Sequence, residues 1–151
     1  QGYRRYIPTD RQSSEELNKL INDLVIPRKP RLFVVDEGNK YVKPKPTPLP
    51  SGAADLNDFA RHWGMSCGWV CRRMTQFNTD ITELANHLFF FKLSGKNDFA
   101  YVENLHQGLD NAVRNLGSYE FVSLTNGSEM ELHAPVDAPV HAVHTGVTVK
   151  V

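Results

Sequence analysis

Two cysteines and the histidines around them are the residues of this sequence best suited to nucleophilic or metal chemistry. Cys67 and Cys71 lie four positions apart, with His62 upstream and His87 downstream. A zinc site uses tighter and repeated spacing, such as two C-x-x-C pairs. A cysteine nucleophile needs a base within hydrogen-bond reach, which spacing alone neither supplies nor excludes. We therefore interpret both cysteines as free thiols packed in the interior.

Histidines of the tail and paired carboxylates offer further sites for acid–base or metal chemistry. Residues three apart on a strand face opposite sides, so His141 and His144 would not converge on one ion. The carboxylates of Asp36 and Glu37 lie beside an expected turn, where solvated acids are common. No phosphate-binding loop, GxGxxG or HExxH motif is present. We therefore expect no catalytic residue, no metal and no cofactor, and predict that the protein is not an enzyme.

Apolar residues spaced three and four apart predict the helices that would position these side chains. Ser13 and Glu16 form a capping box for a helix over 14–25, which we expect to end before Pro27. Two more amphipathic patterns follow along the chain. They cover 81–91, stopped at Gly95, and 99–116, capped by Asp98 and ended by Gly117.

Two β-hairpins are predicted on either side of these helices. In residues 31–42, apolar runs flank a turn at 36–39, and in residues 119–133 alternating runs flank Asn126-Gly127, a strong hairpin signal. Because a single hairpin is marginally stable, we expect the two to join in one antiparallel sheet. A further strand is predicted over 143–151.

Two segments are predicted to extend from the single domain 1–151. An arm over 1–12 is expected to bind another protein subunit through aromatic and basic side chains. These are Tyr3, Arg4, Arg5 and Tyr6. A spacer over 43–50 carries prolines at alternate positions, which favours stiff polyproline II structure.

Residues 55–76 resemble the helix-turn-helix of DNA-binding proteins. That family has a small residue in the first helix, a glycine four residues later at the turn and a β-branched residue six positions further on. Ala60, Gly64 and Val70 match this pattern over about 20 of the 151 residues. The small residue lets the helices cross closely, and glycine adopts the positive φ of the turn. Arg73 departs from the pattern, which has an apolar residue there.

The resemblance implies a second helix that begins at Ser66 and enters a groove of DNA or RNA. The residues expected to contact bases or phosphates are Ser66, Trp69, Arg72, Arg73 and Gln76. The alternative is an ordinary helical hairpin, in which Trp69 is buried and an arginine pairs with an acid such as Asp58 or Glu83. The expected fold class is α+β, with central helices, including this helix-turn-helix-like pair, flanked by antiparallel hairpins.

Composition and charge limit the classes of function. The chain has 151 residues, of which 40% are hydrophobic and 23% charged, as in ordinary globular proteins. Its net charge is zero, which argues against a histone-like protein, yet residues 1–50 carry +4 and residues 98–151 carry −5. No apolar run is long enough to cross a bilayer, and two cysteines are too few for a disulfide scaffold. An intracellular protein without a membrane partner is therefore expected.

Two functions follow from these patterns. The first is a non-catalytic nucleic-acid-associated protein that uses the helix-turn-helix-like pair. The second is a structural subunit of a larger assembly, such as a ribosome-like particle, a viral or phage shell or a multisubunit complex. Such a subunit would bind its neighbours through the arm and the tail, because extensions of this kind are ordered mainly when a partner holds them.

Overall fold

The first helix begins at the residue that its capping box predicts. In the computed structural model, which describes residues 3–10, 13–136 and 147–149, the Ser13 side chain accepts the Glu16 N–H, and α1 spans Ser14–Leu20. The helix runs past Pro27 as a π-helical segment Ile21–Val25 and a last turn Ile26–Arg28. Proline is tolerated there because it falls in the first turn of that last segment.

Strands and helices then alternate along the chain. The described strands are β1 Arg4–Tyr6, β2 Leu32–Val35, β3 Ser66–Trp69, β4 His87–Phe91, β5 Phe121–Thr125, β6 Glu129–His133 and β7 Val147–Val149. The further α-helices are α2 Ser51–Phe59, α3 Thr79–Leu84, α4 Lys96–Leu105 and α5 Leu109–Arg114. Short 3₁₀ turns occupy Gly38–Lys40, Ala60–Trp63 and Met74–Gln76. Together they confirm the α+β class.

Three small sheets carry these strands. β2 and β3 pair in parallel, from Leu32 opposite Ser66 to Val35 opposite Trp69. β4, β5 and β6 form an antiparallel sheet, in which β5 is central. β1 pairs in parallel with β7, so part of the predicted arm is a strand that pairs with the tail.

The hairpin predicted over 31–42 does not form, although the one over 119–133 does. After β2 the chain adopts a left-handed conformation at Glu37 and a 3₁₀ turn, and the Gly38 N–H donates to Val70 O at 2.7 Å. The strand therefore pairs with β3, across the α2 crossover that a parallel pair requires. The expectation of one sheet containing both hairpins is wrong for the same reason.

The second helix of the predicted helix-turn-helix is a strand. Gly64 has the positive φ of 72° that the pattern requires, but β3 begins two residues later. The Ser66 N–H donates to Arg31 O and the Val70 N–H to Val35 O, which extends the parallel ladder at both ends. Pairing with a distant strand thus overrides the local helical pattern.

The single helices predicted over 81–91 and over 99–116 are both wrong, since each pattern divides into two elements. The pattern over 81–91 divides into α3 and β4, because the aromatic run of β4 suits a half-buried strand. The long helix over 99–116 divides into α4 and α5, because Gly108 has φ 83° and interrupts it.

Two hydrophobic clusters form the core. The first joins α1, α2, β2 and β3 around fully buried Ile21 and Leu56. The second joins α4, α5 and the antiparallel sheet around Val102, Leu109 and Val122. None of the described helices combines the length and the hydropathy of a bilayer-spanning segment. The predicted strand 143–151, with His144, lies largely outside the described residues, as does His141.

Candidate functional site

The carboxyl ends of β2 and β3 bring together the acidic and basic residues of interest. Because the two strands are parallel, their carboxyl ends lie at the same edge. Asp36 and Glu37 follow β2, and Arg72 and Arg73 follow β3 after two intervening residues. Ligands of open α/β sheets bind at this edge. This edge is therefore the candidate functional site.

Two cations hold the Glu37 carboxylate. Arg72 Nη2 lies 2.7 Å from Glu37 Oε1, and Lys40 Nζ pairs with Glu37 Oε2. Because the guanidinium side chain is 79% exposed, this ion pair adds little to stability. The two ion pairs instead hold the Glu37 carboxylate in position, because each of its oxygens faces one cation.

Asp36 differs from its neighbour. Its Oδ1 accepts the Glu37 N–H at 2.9 Å, and the residue is exposed. It forms no ion pair with any residue that the structure describes. Asp36 therefore presents a carboxylate whose charge no described side chain neutralises.

Close packing fixes the turn that carries both acids. Gly38 is buried, and a Cβ placed on it would lie 3.0 Å from Phe77 Cε2 and 3.2 Å from Trp69 Cε3. Glycine at this position lets the turn approach the end of β3. The hydrogen bond from Gly38 N–H to Val70 O then holds the two acids in place.

The acidic side chains at this edge suit a Mg²⁺ ion that keeps most of its waters better than a metal ion held entirely by protein ligands. Within the described ranges, no group of three or more histidine, cysteine, aspartate or glutamate side chains is placed to hold a metal. Mg²⁺ usually keeps several waters and is held by one or two carboxylates together with substrate phosphates. Asp36 can supply one such carboxylate.

The structure distributes the predicted nucleic-acid contacts over a strand and a turn. Ser66 is exposed on β3, and Trp69 is half-buried against Phe77, with 6.2 Å between ring centroids. Arg72 pairs with Glu37, and Arg73 is exposed. Gln76 ends the Met74–Gln76 turn. The five residues therefore do not lie on a recognition helix, and the arginine pairs with Glu37, not with Asp58 or Glu83.

The predicted arm is held by the chain itself. The Tyr6 hydroxyl donates to the Glu16 carboxylate, which also accepts the N–H groups of Thr9 and Asp10. These bonds lower the pKa of Glu16 to about 2, and the same carboxylate raises the pKa of Tyr6 to about 12. Arg4 and Arg5 lie in β1 with Tyr6, and Tyr3 directly precedes that strand.

Both cysteines are free thiols, as the sequence predicts. Cys67 and Cys71 are half-buried, and desolvation raises the pKa of each to about 11. Both thiols are therefore protonated at neutral pH, whereas nucleophilic attack by a cysteine requires the thiolate. The Asp36–Glu37 edge remains the stronger candidate site.

Comparison with known proteins gives structural matches only. No protein-family model and no curated protein sequence matches the chain. The genome packaging NTPase B204 of Sulfolobus turreted icosahedral virus 2, in complex with ATP-gammaS, matches with a TM-score of 0.72 and 18% identity over 84% of this chain. The DNA-packaging ATPase B204 of Sulfolobus Turreted Icosahedral Virus matches with 0.75 and 16% over 87%, and VirB4 of Thermoanaerobacter pseudethanolicus with 0.62 and 15% over 83%.

The chain spans 65% of the first of these proteins, 66% of the second and 37% of VirB4. This likeness contradicts the prediction of a protein that is not an enzyme. It also contradicts both functions drawn from the sequence, the non-catalytic nucleic-acid-associated protein and the structural subunit. The missed signal is the apolar run of β2 followed at once by two acids, because continuous apolar runs are typical of parallel strands. At these identities the likeness itself shows the fold that the chain shares with B204 and VirB4.

Proposed function

We propose that the chain is part of a nucleoside triphosphatase of the genome-packaging type and supplies the carboxylates of its hydrolytic site. The observation that carries the proposal is the Asp36–Glu37 pair at the carboxyl end of β2. In P-loop NTPases an aspartate from a strand of this kind holds Mg²⁺. The likeness to a packaging NTPase in complex with ATP-gammaS supports the same assignment.

Each acid has its own role in this proposal. Asp36 would hold Mg²⁺ through its carboxylate, which no described cation neutralises. Mg²⁺, when bound, neutralises charge on the phosphates. Glu37 orients the attacking water and accepts its proton. Lys40 and Arg72 both face its oxygens here, so release of either cation would leave an oxygen more accessible to that water.

The phosphates need a second group of residues. The 151 residues contain no phosphate-binding GxxxxGK[S/T] stretch. In this proposal the loop that binds the phosphates comes from polypeptide outside these residues, on the same chain or on a neighbouring subunit. Two of the matched proteins package a genome or DNA, so we also propose that hydrolysis drives movement of nucleic acid within a protein assembly.

Hydrolysis of Mg²⁺·ATP by the protein that carries this chain tests the proposal. Glu37→Gln should lower kcat by on the order of 10²- to 10⁴-fold while nucleotide still binds, because only the proton acceptor is lost. Asp36→Asn should weaken the binding of Mn²⁺ in the presence of nucleotide, measured by electron paramagnetic resonance.

Glu129→Gln is the matched control, because Glu129 is an exposed carboxylate on β6, outside the β2–β3 pair. It should leave hydrolysis and Mn²⁺ binding unchanged. If the Asp36 and Glu37 variants hydrolyse ATP as fast as this control, the assignment of the two acids is wrong.

A further inference from the structure

A cleft of about 310 Å³ is lined in part by Lys40, the residue that pairs with Glu37. Its lining residues are Asn39, Lys40, Lys43, Pro44 and Gln76. None of them is acidic, and two are lysines. The cleft is therefore suited to an anion.

The lysines of this segment differ in what they already contact. Lys45 lies 2.6 Å from Asp80, and Lys40 pairs with Glu37. Lys43 is exposed and forms no ion pair with any described residue. Its ammonium group is thus available to a ligand without the loss of an existing ion pair.

The backbone around Lys43 is held in place before any ligand binds. The fully buried Asn78 donates from Nδ2 to Lys43 O at 2.9 Å and to Thr47 O at 3.1 Å. Prolines at alternate positions restrict φ through the same segment. A preformed loop of this kind loses little conformational entropy on binding.

The chain beside another lining residue, Gln76, is fixed in a similar way. Thr75, which precedes Gln76, donates to Asp98 Oδ1 from its N–H at 3.3 Å and from its hydroxyl at 3.1 Å. Asn39 lines the cleft as well, and its Oδ1 has no hydrogen-bond partner among the described atoms. Gln76 therefore places an amide group, whose N–H groups can donate to an anion, among the same lining residues as the two lysines.

We propose that this cleft binds a phosphate of a nucleic-acid backbone, with Lys43 and Gln76 as its contacts. Three lysines within six residues of a stiff loop suit a polyanion that runs along the loop. A free nucleotide is favoured less, because no aromatic side chain lines the cleft to stack on a base.

Lys40 connects the cleft to the hydrolytic site. It lines the cleft and also faces Glu37 Oε2. A phosphate in the cleft would draw the ammonium group away from that oxygen and free Glu37 to accept a proton. This step rests on the proposed function, whereas the binding of nucleic acid to the cleft does not.

Fluorescence anisotropy with a labelled DNA duplex, without nucleotide, tests the binding. Each phosphate contact contributes about 0.9 to the slope of log K against log salt. Raising salt from 50 to 200 mM should therefore weaken wild type about 3.5-fold more than Lys43→Gln. Lys92→Gln removes an exposed lysine next to β4 and should keep the wild-type slope.

Equal slopes for Lys43→Gln and wild type would overturn the proposal. So would weaker ATP binding by Lys43→Gln with unchanged DNA binding, because the cleft would then hold the free nucleotide. Inorganic phosphate is a competitor in the same assay. The proposal expects it to displace the DNA duplex from wild type only at concentrations that displace it equally from Lys92→Gln, because a single phosphate ion acts there as screening salt. Displacement from wild type at much lower phosphate concentrations would show that the cleft binds free phosphate instead.

Stimulation of ATP hydrolysis by DNA tests the connection. Without DNA, Lys40→Gln should hydrolyse ATP at the rate that wild type reaches only with DNA. Lys40→Arg keeps the positive charge, so its hydrolysis should again depend on DNA as in wild type. Dependence on DNA that persists in Lys40→Gln overturns the connection. A wild-type protein that hydrolyses no ATP would overturn the proposed function and leave the anisotropy result standing.

Discussion

Substitution of Gly38 by alanine should destabilise the protein through a contact that the structure defines. The added Cβ would lie 3.0 Å from Phe77 Cε2 and 3.2 Å from Trp69 Cε3, closer than carbon atoms normally pack. Phe77 is only 4% exposed, so its ring has little room to withdraw. Overpacking of this kind costs about 1–3 kcal/mol.

A smaller opposing effect comes from the unfolded chain. Replacing glycine by alanine reduces its conformational freedom and stabilises by about 0.4–1 kcal/mol. The difference between the two effects is a net loss in the free energy of unfolding of roughly 0–2.6 kcal/mol, with a midpoint of about 1.3 kcal/mol. For a domain of this size, a loss of about 1.3 kcal/mol should lower the melting temperature by about 3–5 °C, which differential scanning calorimetry resolves.

Two further variants identify the cause. Gly68→Ala is the control, because its Cβ would meet Val34 Cγ2 at 3.4 Å, an ordinary contact. Its melting temperature should not fall and should rise by about 1–4 °C, since glycine-to-alanine replacement without strain stabilises by about 0.4–1 kcal/mol. Gly38→Ala combined with Phe77→Leu should lose less stability than the sum of the two single variants. If Gly38→Ala melts at or above the wild-type temperature, the packing argument is wrong.

Three other outcomes follow from the pKa shifts and from one glycine with a positive φ. Because the pKa of Glu16 is lowered to about 2, its stabilising effect is present above the unfolded value of 4.5 and is lost as pH falls from there to 2; Glu16→Gln should flatten the free energy of unfolding, measured in urea, over that range. Because the pKa of Cys67 and of Cys71 is raised to about 11, both should react slowly with iodoacetamide at pH 8 and quickly once the protein unfolds; fast native-state alkylation would contradict the burial. Gly108→Ala should cost about 1–2 kcal/mol because φ is 83° there, and an unchanged melting temperature would show that the turn relaxes.

Elements fixed by neighbouring residues were predictable from the sequence. The capping box places the start of α1 correctly because Ser13 and Glu16 interact within one turn. The hairpin of β5 and β6 forms where expected because Asn126 and Gly127 adopt positive φ in a tight turn.

Elements fixed by distant partners were not predictable. Residues 66–69 become a strand because β2, more than thirty positions earlier, supplies the hydrogen-bond partners. The same pairing decides the site, since Asp36 and Glu37 look like turn residues until β3 is known to lie in parallel beside β2. The local spacing of Ala60, Gly64 and Val70 carries no information about that pairing.

The parallel pairing of β1 with β7 has a mechanical consequence. Tension that enters before Arg4 and leaves after Val149 pulls the two strands along their length in opposite directions. The interstrand hydrogen bonds of the three paired positions, Arg4–Val147 to Tyr6–Val149, are then strained together in shear and not broken one after another. A pair loaded in this way resists extension until its hydrogen bonds break together. The β1–β7 pair therefore opposes separation of the two ends of the chain under tension.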